Sequence, residues 1–262
     1  MGLGLLFAAK LYRLRPRFEG ELLRESWKTA RWAYAFSLLT ELNARFGFVI
    51  LIPAVLAHST LLPEEGKHEL GLFGTTLAFA DILRALLAVE LILFAEIAGE
   101  RERSREITPA VSRLISGLGA CAVLGASVGA PFVLWVVNAD YLDALPALFV
   151  LLPGTVALAV AKALSADLLI RGQERWILGN HLAGFVAIVL VHLLSVGRLG
   201  ALGMALGLSA GYVLQAARAI ARYSRVAGVP ARDLILPTRS DWTRCRDWIR
   251  RSRIGAVDGA SR

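Results

Sequence analysis

Six apolar stretches, each long enough to cross a membrane as a helix, constrain this chain more than any other feature. A helix needs roughly 20 residues to cross a hydrocarbon core about 30 Å thick, and the alternating pattern typical of a membrane β-barrel is absent. Apolar residues make up 56% of the 262 residues, against 19% charged. We therefore predict an all-α integral membrane protein with six transmembrane helices, at 32–57, 70–98, 114–137, 144–170, 176–197 and 201–221.

Charged, Gly, Pro and Asn residues separate the apolar stretches and are typical of turns and loops. They divide the chain into a basic N-terminal segment 1–31, a six-helix membrane lobe 32–221 and a basic tail 222–262. We expect turns or short loops at 63–66, 101–109, 138–146, 171–175 and 197–203.

Lys and Arg are distributed unevenly among the gaps. Segments 1–31, 99–113, 171–175 and the chain from Arg218 onward together carry 24, whereas the alternate gaps carry only Lys67 and Arg198. Cytoplasmic loops of membrane proteins are the ones enriched in Lys and Arg. The distribution therefore predicts that both termini are cytoplasmic and that Lys67 and Arg198 lie on the opposite side.

Motifs of soluble enzymes and nucleic-acid binders are missing. The sequence has no phosphate-binding glycine loop, no HExxH and no CxxC, and its two cysteines, Cys121 and Cys245, are far apart. The net charge of +8 comes from residues between apolar runs, so it builds no basic face for nucleic acid. We predict no catalytic residue, no metal, no cofactor and no nucleic-acid partner.

The two ends of the chain each leave two interpretations open. Residues 2–9 are apolar but too short to span, so they are the end of a preceding helix or an interfacial start anchored by Lys10 and Arg13. In the tail, a strand-like run at 234–236 precedes an Arg-rich and Trp-rich stretch. That stretch is an interfacial helix on anionic lipid or a solvated tail.

Two pairs of opposite charges lie inside the predicted spans. Glu41 and Arg45 are four residues apart, and Asp81 and Arg84 are three apart, so the members of each pair share a helix face. A lone charge at mid-bilayer costs about 2.5 to 3.5 kcal/mol on insertion scales. The pairs are either structural bridges that neutralise themselves or functional charges.

Lys162 has no opposite charge three or four residues away along its helix. It lies nine residues before Arg171, about 13 Å along a helix, a distance that its stem only partly covers by snorkelling. We expect it to face a polar cavity or a charge on another helix.

Helix breakers and small residues complete the pattern. Pro153 and Gly154 lie within the fourth span and predict a kink in that helix. The kink either gates a cavity or has no function, since membrane helices often tolerate proline. Gly203, Gly207 and Gly211 recur every four residues in the sixth span, a spacing that lets two helices approach closely. We predict that these three glycines pack against another helix.

The fourth to sixth spans and the tail resemble the C-terminal region of the polysaccharide and lipid-linked oligosaccharide flippases. These belong to the multidrug/oligosaccharidyl-lipid/polysaccharide exporter superfamily. The resemblance is carried by Leu151-Leu152-Pro153-Gly154, by Lys162 and Ser165 before Arg171-Gly172, by Arg198-Leu199-Gly200-Ala201-Leu202-Gly203 before Ser209 and Tyr212, and by Leu236-Pro237 with Asp241. Weaker similarity extends over Leu42-Asn43-Ala44-Arg45 and 71–79, although Gly47 and Phe48 stand where an acidic residue is often found.

The resemblance implies one lobe of a two-lobe exporter in the bacterial inner membrane, with a second six-helix lobe supplied by a separate chain or a second copy. It implies a lipid-linked glycan as substrate and no ATP site. Arg45, Arg84 and Lys162 would then bind the substrate diphosphate, while Glu41 and Asp81 tune those charges or couple an ion. The alternatives are a non-transporting membrane anchor for glycan-assembly enzymes and, less favoured, an integral-membrane glycan enzyme.

Overall fold

A computed structural model describes residues 63–88 and 101–236, together with Trp27 and Leu38, which are helical. The chain divides into two compact units, Met1–Leu38 and Leu39–Arg262. Everything below concerns the second unit. The first predicted span, 32–57, lies outside the described residues except for Leu38.

The second unit is all-helical over its described ranges, 63–88 and 101–236, where no strand occurs. Its elements are α1 (Pro63–Leu86), α2 (Arg101–Val137), a short 3₁₀ helix (Ala139–Ala144), α3 (Leu145–Ile170), α4 (Glu174–Ala227) and α5 (Arg232–Ile235). The predicted ends of the third and fourth spans, at residues 137 and 170, coincide with the ends of α2 and α3.

Two predicted breaks are wrong because helices begin inside them. Residues 63–66 form the first turn of α1, and proline is favoured at a first helical position because its missing N–H has no partner there anyway. Residues 101–109 form the start of α2, which continues through Pro109. Polar composition therefore marked the ends of apolar segments but not the ends of helices.

The fifth and sixth predicted spans belong to α4, which doubles back on itself. Its 54 residues would extend about 80 Å if straight, but its backbone leaves helical geometry at Gly200. Contacts then pair residues progressively farther from Gly200 on its two sides: Ser195 with Gly203, His192 with Met204, and Asn180 with Gln215. This ordering of contacts makes α4 an antiparallel helical hairpin, and we call its two parts the first and second halves of α4.

Gly200 forms the reversal with help from α1. Its φ of 52° and ψ of −126° lie in a region that residues with a side chain rarely adopt. The next residue, Ala201, donates its backbone N–H to Glu69 Oε2 at 2.6 Å. A carboxylate is favoured at this position because the first N–H groups of a helix have no intrahelical acceptor and carry partial positive charge.

α3 lies at the centre of the described helices and contacts α1, α2 and α4. Its buried residues include Leu148, Leu151, Leu164 and Leu168, each 2% exposed or less. The other helices bury one face and expose another. Along the first half of α4, the exposed side chains Leu182, Val186, Leu190 and Leu193 recur every three or four residues. Such an apolar outer stripe is suited to contact with lipid.

Three helical segments are long and apolar enough to cross a membrane: Ile107–Val137, Ala139–Ile170 and Glu174–Ala227. α4 continues to Ala227, several residues past the predicted end of the sixth span at 221. These segments support the coarse prediction of an all-helical membrane protein.

The strand predicted at 234–236 is wrong, because α5 is one helical turn that is docked on α2. Leu234 is fully buried, and its carbonyl oxygen accepts a hydrogen bond from Ser112 Oγ at 2.7 Å. Arg113 Nη1 donates to the carbonyl oxygen of Asp233 at 2.6 Å. The apolar residues there serve to anchor the beginning of the tail rather than to extend a sheet.

Replacing Gly200 with Ala should destabilise the protein more than the same change at Gly172. Both glycines have positive φ, 52° and 74°, and Ala at such a φ costs about 1 to 2 kcal/mol. At Gly200 an added Cβ would also collide with Glu69, whereas at Gly172 it meets open space. Thermal unfolding in detergent measures the difference, and Gly74→Ala, in helical and open surroundings, is the control that should not lower the unfolding temperature. Equal losses at Gly200 and Gly172 would contradict the role of Glu69.

Candidate functional site

The charged site residues predicted from the sequence are partly within the described residues and partly outside them. Glu41 and Arg45 lie outside. Asp81 and Arg84 lie near the end of α1 and form an ion pair within that helix, with 3.1 Å between Arg84 Nη1 and Asp81 Oδ1. The Asp81 side chain is 63% exposed and that of Arg84 26%, so Asp81 lies at the surface of α1 and Arg84 is partly buried.

Lys162 lies on the central helix α3, half-buried, and interacts electrostatically with His181 on the first half of α4. His181 is itself buried. The predicted neighbour was a polar cavity or a charge on another helix, and the group that the structure places within electrostatic range of Lys162 is the side chain of His181. The neighbour is an imidazole rather than a carboxylate. If the Lys162 amine and the His181 imidazole were both protonated, their positive charges would repel each other.

Next to His181, polar side chains join the two halves of α4. The Asn180 side-chain amide donates to the carbonyl oxygen of Gln215 at 3.0 Å and accepts from Arg218 Nε at 3.0 Å. The Gln215 side chain is fully buried and lies against Gly184. Because Gly184 has no side chain, the Gln215 amide can cross the hairpin at this point. We call His181, Asn180 and Gln215 the polar layer of the α4 hairpin, and Lys162 on α3 interacts electrostatically with its member His181.

A second polar cluster lies where α3 ends, and Asp167 is its centre. The buried Asp167 carboxylate accepts hydrogen bonds from Arg171 Nε at 2.9 Å and from Tyr223 Oη at 2.7 Å. Arg171 also donates to Ser104 Oγ on α2 at 3.0 Å. Asp167 and Arg171 are four residues apart, so helical geometry brings them together, and their pair additionally connects α2, α3 and α4.

Arg171 remains charged in this cluster. Burial lowers the pKa of its guanidinium, but the hydrogen bonds and negative charge of Asp167 act in the opposite direction and leave the pKa above its ordinary value. The guanidinium also lies over the ring of Tyr223, 5.7 Å from the ring centre. The cluster is therefore an ion pair with its hydrogen bonds satisfied, the arrangement in which buried charges are stable.

Pro153 and Gly154 have different environments. Pro153 is exposed and lines an apolar groove of about 540 Å³ between α2, α3 and α4, together with Ser116, Leu124, Val160, Ile220 and Ile235. Gly154 faces the second half of α4, where an added Cβ would lie 2.7 Å from the Cα of Ser209. Ser209 Oγ donates a hydrogen bond to the carbonyl oxygen of Val150 at 2.5 Å. This bond lies in the turn of α3 that precedes Pro153, a residue with no backbone N–H to donate.

Gly203, Gly207 and Gly211 all lie on the inner face of the α4 hairpin. They contact the backbone of Ser195 and the side chains of His192 and Ile188, respectively. His192 Nε2 lies 3.0 Å from the carbonyl oxygen of Met204. The glycines thus let the two halves of α4 approach closely enough for a buried imidazole to reach the opposite backbone.

The sequence patterns do not single out four residues of these clusters: Tyr223, Asn180, Gln215 and Ser104. Tyr223 falls in the predicted tail, although Tyr212, Ala216, Ala219 and Tyr223 recur at helical spacing and are all buried. That periodicity is visible in the sequence and would have extended the sixth span. Ser104 carries no such signal, because only the tertiary structure brings α2 to Arg171. Within 63–88 and 101–236, no three His, Cys, Asp or Glu side chains are grouped to hold a metal ion.

Replacing Asp167 with Asn should strongly destabilise the protein, by about 3 to 5 kcal/mol, because it leaves the buried Arg171 without its counter-charge. Tyr223→Phe removes one hydrogen bond and should cost about 1 to 2 kcal/mol. Asp233→Asn is the matched control, since Asp233 pairs with Arg232 at the exposed surface. Denaturant or thermal unfolding in detergent measures these differences. An Asp167 variant as stable as the Asp233 variant would show that the cluster does not hold the helices together.

Comparison of the chain with protein-family models, with curated proteins and with solved structures finds no match.

Proposed function

We propose that the chain is one lobe of a bacterial inner-membrane flippase for lipid-linked oligosaccharide or polysaccharide precursors. It would act as a half-size or split transporter, completed by a second six-helix lobe from another chain or a second copy. The resemblance over 148–241 supports this function, and so do the apolar helices that position Lys162.

The observation that carries the proposal is the position of Lys162. It is a cation on the central, most buried helix, beside a polar layer made by His181, Asn180 and Gln215. Ionisable groups within membrane helices typically mark substrate or ion pathways. A substrate diphosphate would supply the negative charge that favours an ammonium group at this depth.

The proposed mechanism uses alternating access between the two lobes. The sugar–pyrophosphate head enters a cavity between them while the lipid tail stays in the bilayer. Arg45, Arg84 and Lys162 offset the diphosphate charge, and Glu41 and Asp81 tune those cations or couple transport to an ion. A bend of α3 at Pro153 and Gly154 would gate the cavity.

The proposed topology has six spans and both termini in the cytoplasm. The α4 hairpin supplies the fifth and sixth spans, and its reversal at Gly200 lies on the periplasmic side with Glu69. The Asp167 cluster and α5 then lie at the cytoplasmic side. This assignment agrees with the concentration of Lys and Arg in the cytoplasmic gaps.

A second candidate function, a non-transporting anchor for glycan-assembly enzymes, is favoured by the docking of α5. Ser112 and Arg113 hold the beginning of the tail against α2, so the Arg-rich and Trp-rich segment starts from a defined point. Such a tail would bind an enzyme or anionic lipid at the cytoplasmic surface. A reading frame for a second six-helix lobe next to this one would favour the transporter.

The topology predicts which single cysteines react in intact cells. In a variant with Cys121→Ser and Cys245→Ser, a membrane-impermeant maleimide should label His68→Cys and Leu199→Cys, two exposed positions at the Gly200 end. Arg175→Cys and Arg225→Cys, exposed at the other end, should react only after permeabilisation. The reverse pattern would overturn the topology.

Lys162→Gln should abolish glycan export while membrane insertion stays intact, because Gln keeps a polar side chain and removes the positive charge. Complementation of an export-deficient strain, with the partner lobe co-expressed, measures the effect, and Lys162→Arg should restore part of the activity. Lys67→Gln is the matched control at an exposed position outside the helical core. Full export by Lys162→Gln would show that the amine only snorkels to the interface.

A further inference from the structure

Two arginines on the second half of α4 reach across to the first half at the end of the hairpin away from Gly200. Arg218 Nε donates to Asn180 Oδ1 at 3.0 Å, and Arg222 Nη2 donates to Gln173 Oε1. The Arg222 guanidinium also lies over the ring of Trp176, 6.0 Å from the ring centre. The two arginines are four residues apart, so they are neighbours on one helix face. We call these two arginines and their three partners the arginine site.

The two guanidinium charges of the arginine site are held in position but are not neutralised. Both acceptors are side-chain amides, which accept an N–H without supplying negative charge. None of the ion pairs within 63–88 and 101–236 includes Arg218 or Arg222. Over the same ranges, the buried Nε of Arg222 has no hydrogen-bond acceptor. The arginine site therefore offers positive charge and available N–H groups to an anion.

The arginine site lies at the level expected for a lipid headgroup. It belongs to Glu174–Ala227, one of the segments long and apolar enough to cross a membrane, and no charged residue occurs between Gly200 and Arg218. At 1.5 Å per residue, Arg218 and Arg222 lie about 27 Å and about 33 Å from Gly200 along the helix. Because a hydrocarbon core is about 30 Å thick, a hairpin that reverses at one membrane surface brings both arginines to the other. Trp176 fits this level, since tryptophan is enriched at membrane–water interfaces.

The arginine site is accessible and adjoins apolar surface. Arg218 is exposed, and Arg222 and Trp176 are half-buried. Leu214, one helical turn from Arg218 toward Gly200, is an exposed apolar side chain. A phospholipid would place its phosphate against the guanidinium groups and an acyl chain against the apolar surface beside them. A free phosphate ion would use only the charged part, so the combination favours a lipid.

We propose that the arginine site binds the phosphate group of an anionic membrane phospholipid. Arg218 and Arg222 donate their available N–H groups to the phosphate oxygens, a task for which the planar guanidinium is well suited. Asn180, Gln173 and Trp176 are positioning residues, because they hold the guanidinium groups in place. The arginine site uses none of the residues proposed to bind the transported glycan, so it can be tested without any transport assay.

Binding of phosphatidylglycerol to the purified protein in detergent tests the arginine site. Native mass spectrometry over a lipid titration gives the number of bound lipids and the dissociation constant. Arg218→Gln and Arg222→Gln should each weaken binding about fivefold, and the double variant about 30-fold, since a basic residue near an anionic membrane surface contributes about 1 kcal/mol. Phosphatidylcholine, which has no net charge, should bind the unmodified protein about as weakly as phosphatidylglycerol binds the double variant.

Two variants of Trp176 test its positioning role. Trp176→Leu should weaken phosphatidylglycerol binding about threefold, because it removes the ring beneath the Arg222 guanidinium but leaves both charges. Trp176→Phe should restore most of the affinity, because an aromatic ring again faces the guanidinium. Equal affinities of the Leu and Phe variants would contradict the positioning role.

Arg198→Gln is the matched control. Arg198 is an exposed arginine of the same hairpin at the Gly200 end, and its replacement should leave the affinity for phosphatidylglycerol unchanged. Thermal unfolding separates lipid binding from folding. Added phosphatidylglycerol should raise the unfolding temperature of the unmodified protein more than that of the Arg218/Arg222 double variant, a comparison that holds even if the substitutions themselves lower stability.

Inorganic pyrophosphate distinguishes a lipid phosphate from a free one. At the same concentration as the lipid, it should neither displace phosphatidylglycerol nor raise the unfolding temperature. Stabilisation by pyrophosphate equal to that by phosphatidylglycerol would overturn the assignment to a lipid. Equal phosphatidylglycerol binding by the unmodified protein and the double variant, or an equal loss in Arg198→Gln, would overturn the site itself.

Discussion

The reversal of α4 at Gly200 is the constraint on which the rest of the structure depends. It turns 54 residues into two antiparallel helices and brings His192, Asn180 and Gln215 into one interface. The hairpin is close because small residues line its inner face, and it is oriented by Glu69 of α1. One backbone position without a side chain therefore determines which polar groups meet between the helices.

A second feature of the structure is that several charged residues of its helices have specific polar or charged partners. The fully buried Asp167 binds Arg171 and the fully buried Tyr223, and Arg218 is held by Asn180. Asp81 pairs with Arg84 at the surface of α1 instead, where the Asp81 side chain is 63% exposed. The contrast separates a buried cluster that connects three helices from an ion pair within a single helix.

Sequence patterns predicted much of this arrangement and failed at identifiable places. The ends of α2 and α3 follow from hydropathy, since the apolar runs end where the helices end. The predicted loops at 63–66 and 101–109 are helical because backbone hydrogen bonding continues into polar sequence, which hydropathy does not measure. Lys162 was recognisable from its isolation on its own helix, whereas Tyr223 and Ser104 gain their partners only through tertiary contacts.

The sequence by itself determined that the chain forms long apolar helices, because hydrocarbon leaves backbone polar groups no partner except one another. It also determined the ion pairs three or four residues apart, Asp81 with Arg84 and Asp167 with Arg171, since helical geometry alone brings them together. Only the tertiary structure decided that Asp167 is buried while Asp81 is exposed. The physical reason is that burial depends on which helices pack against a face, and local spacing carries no information about distant neighbours.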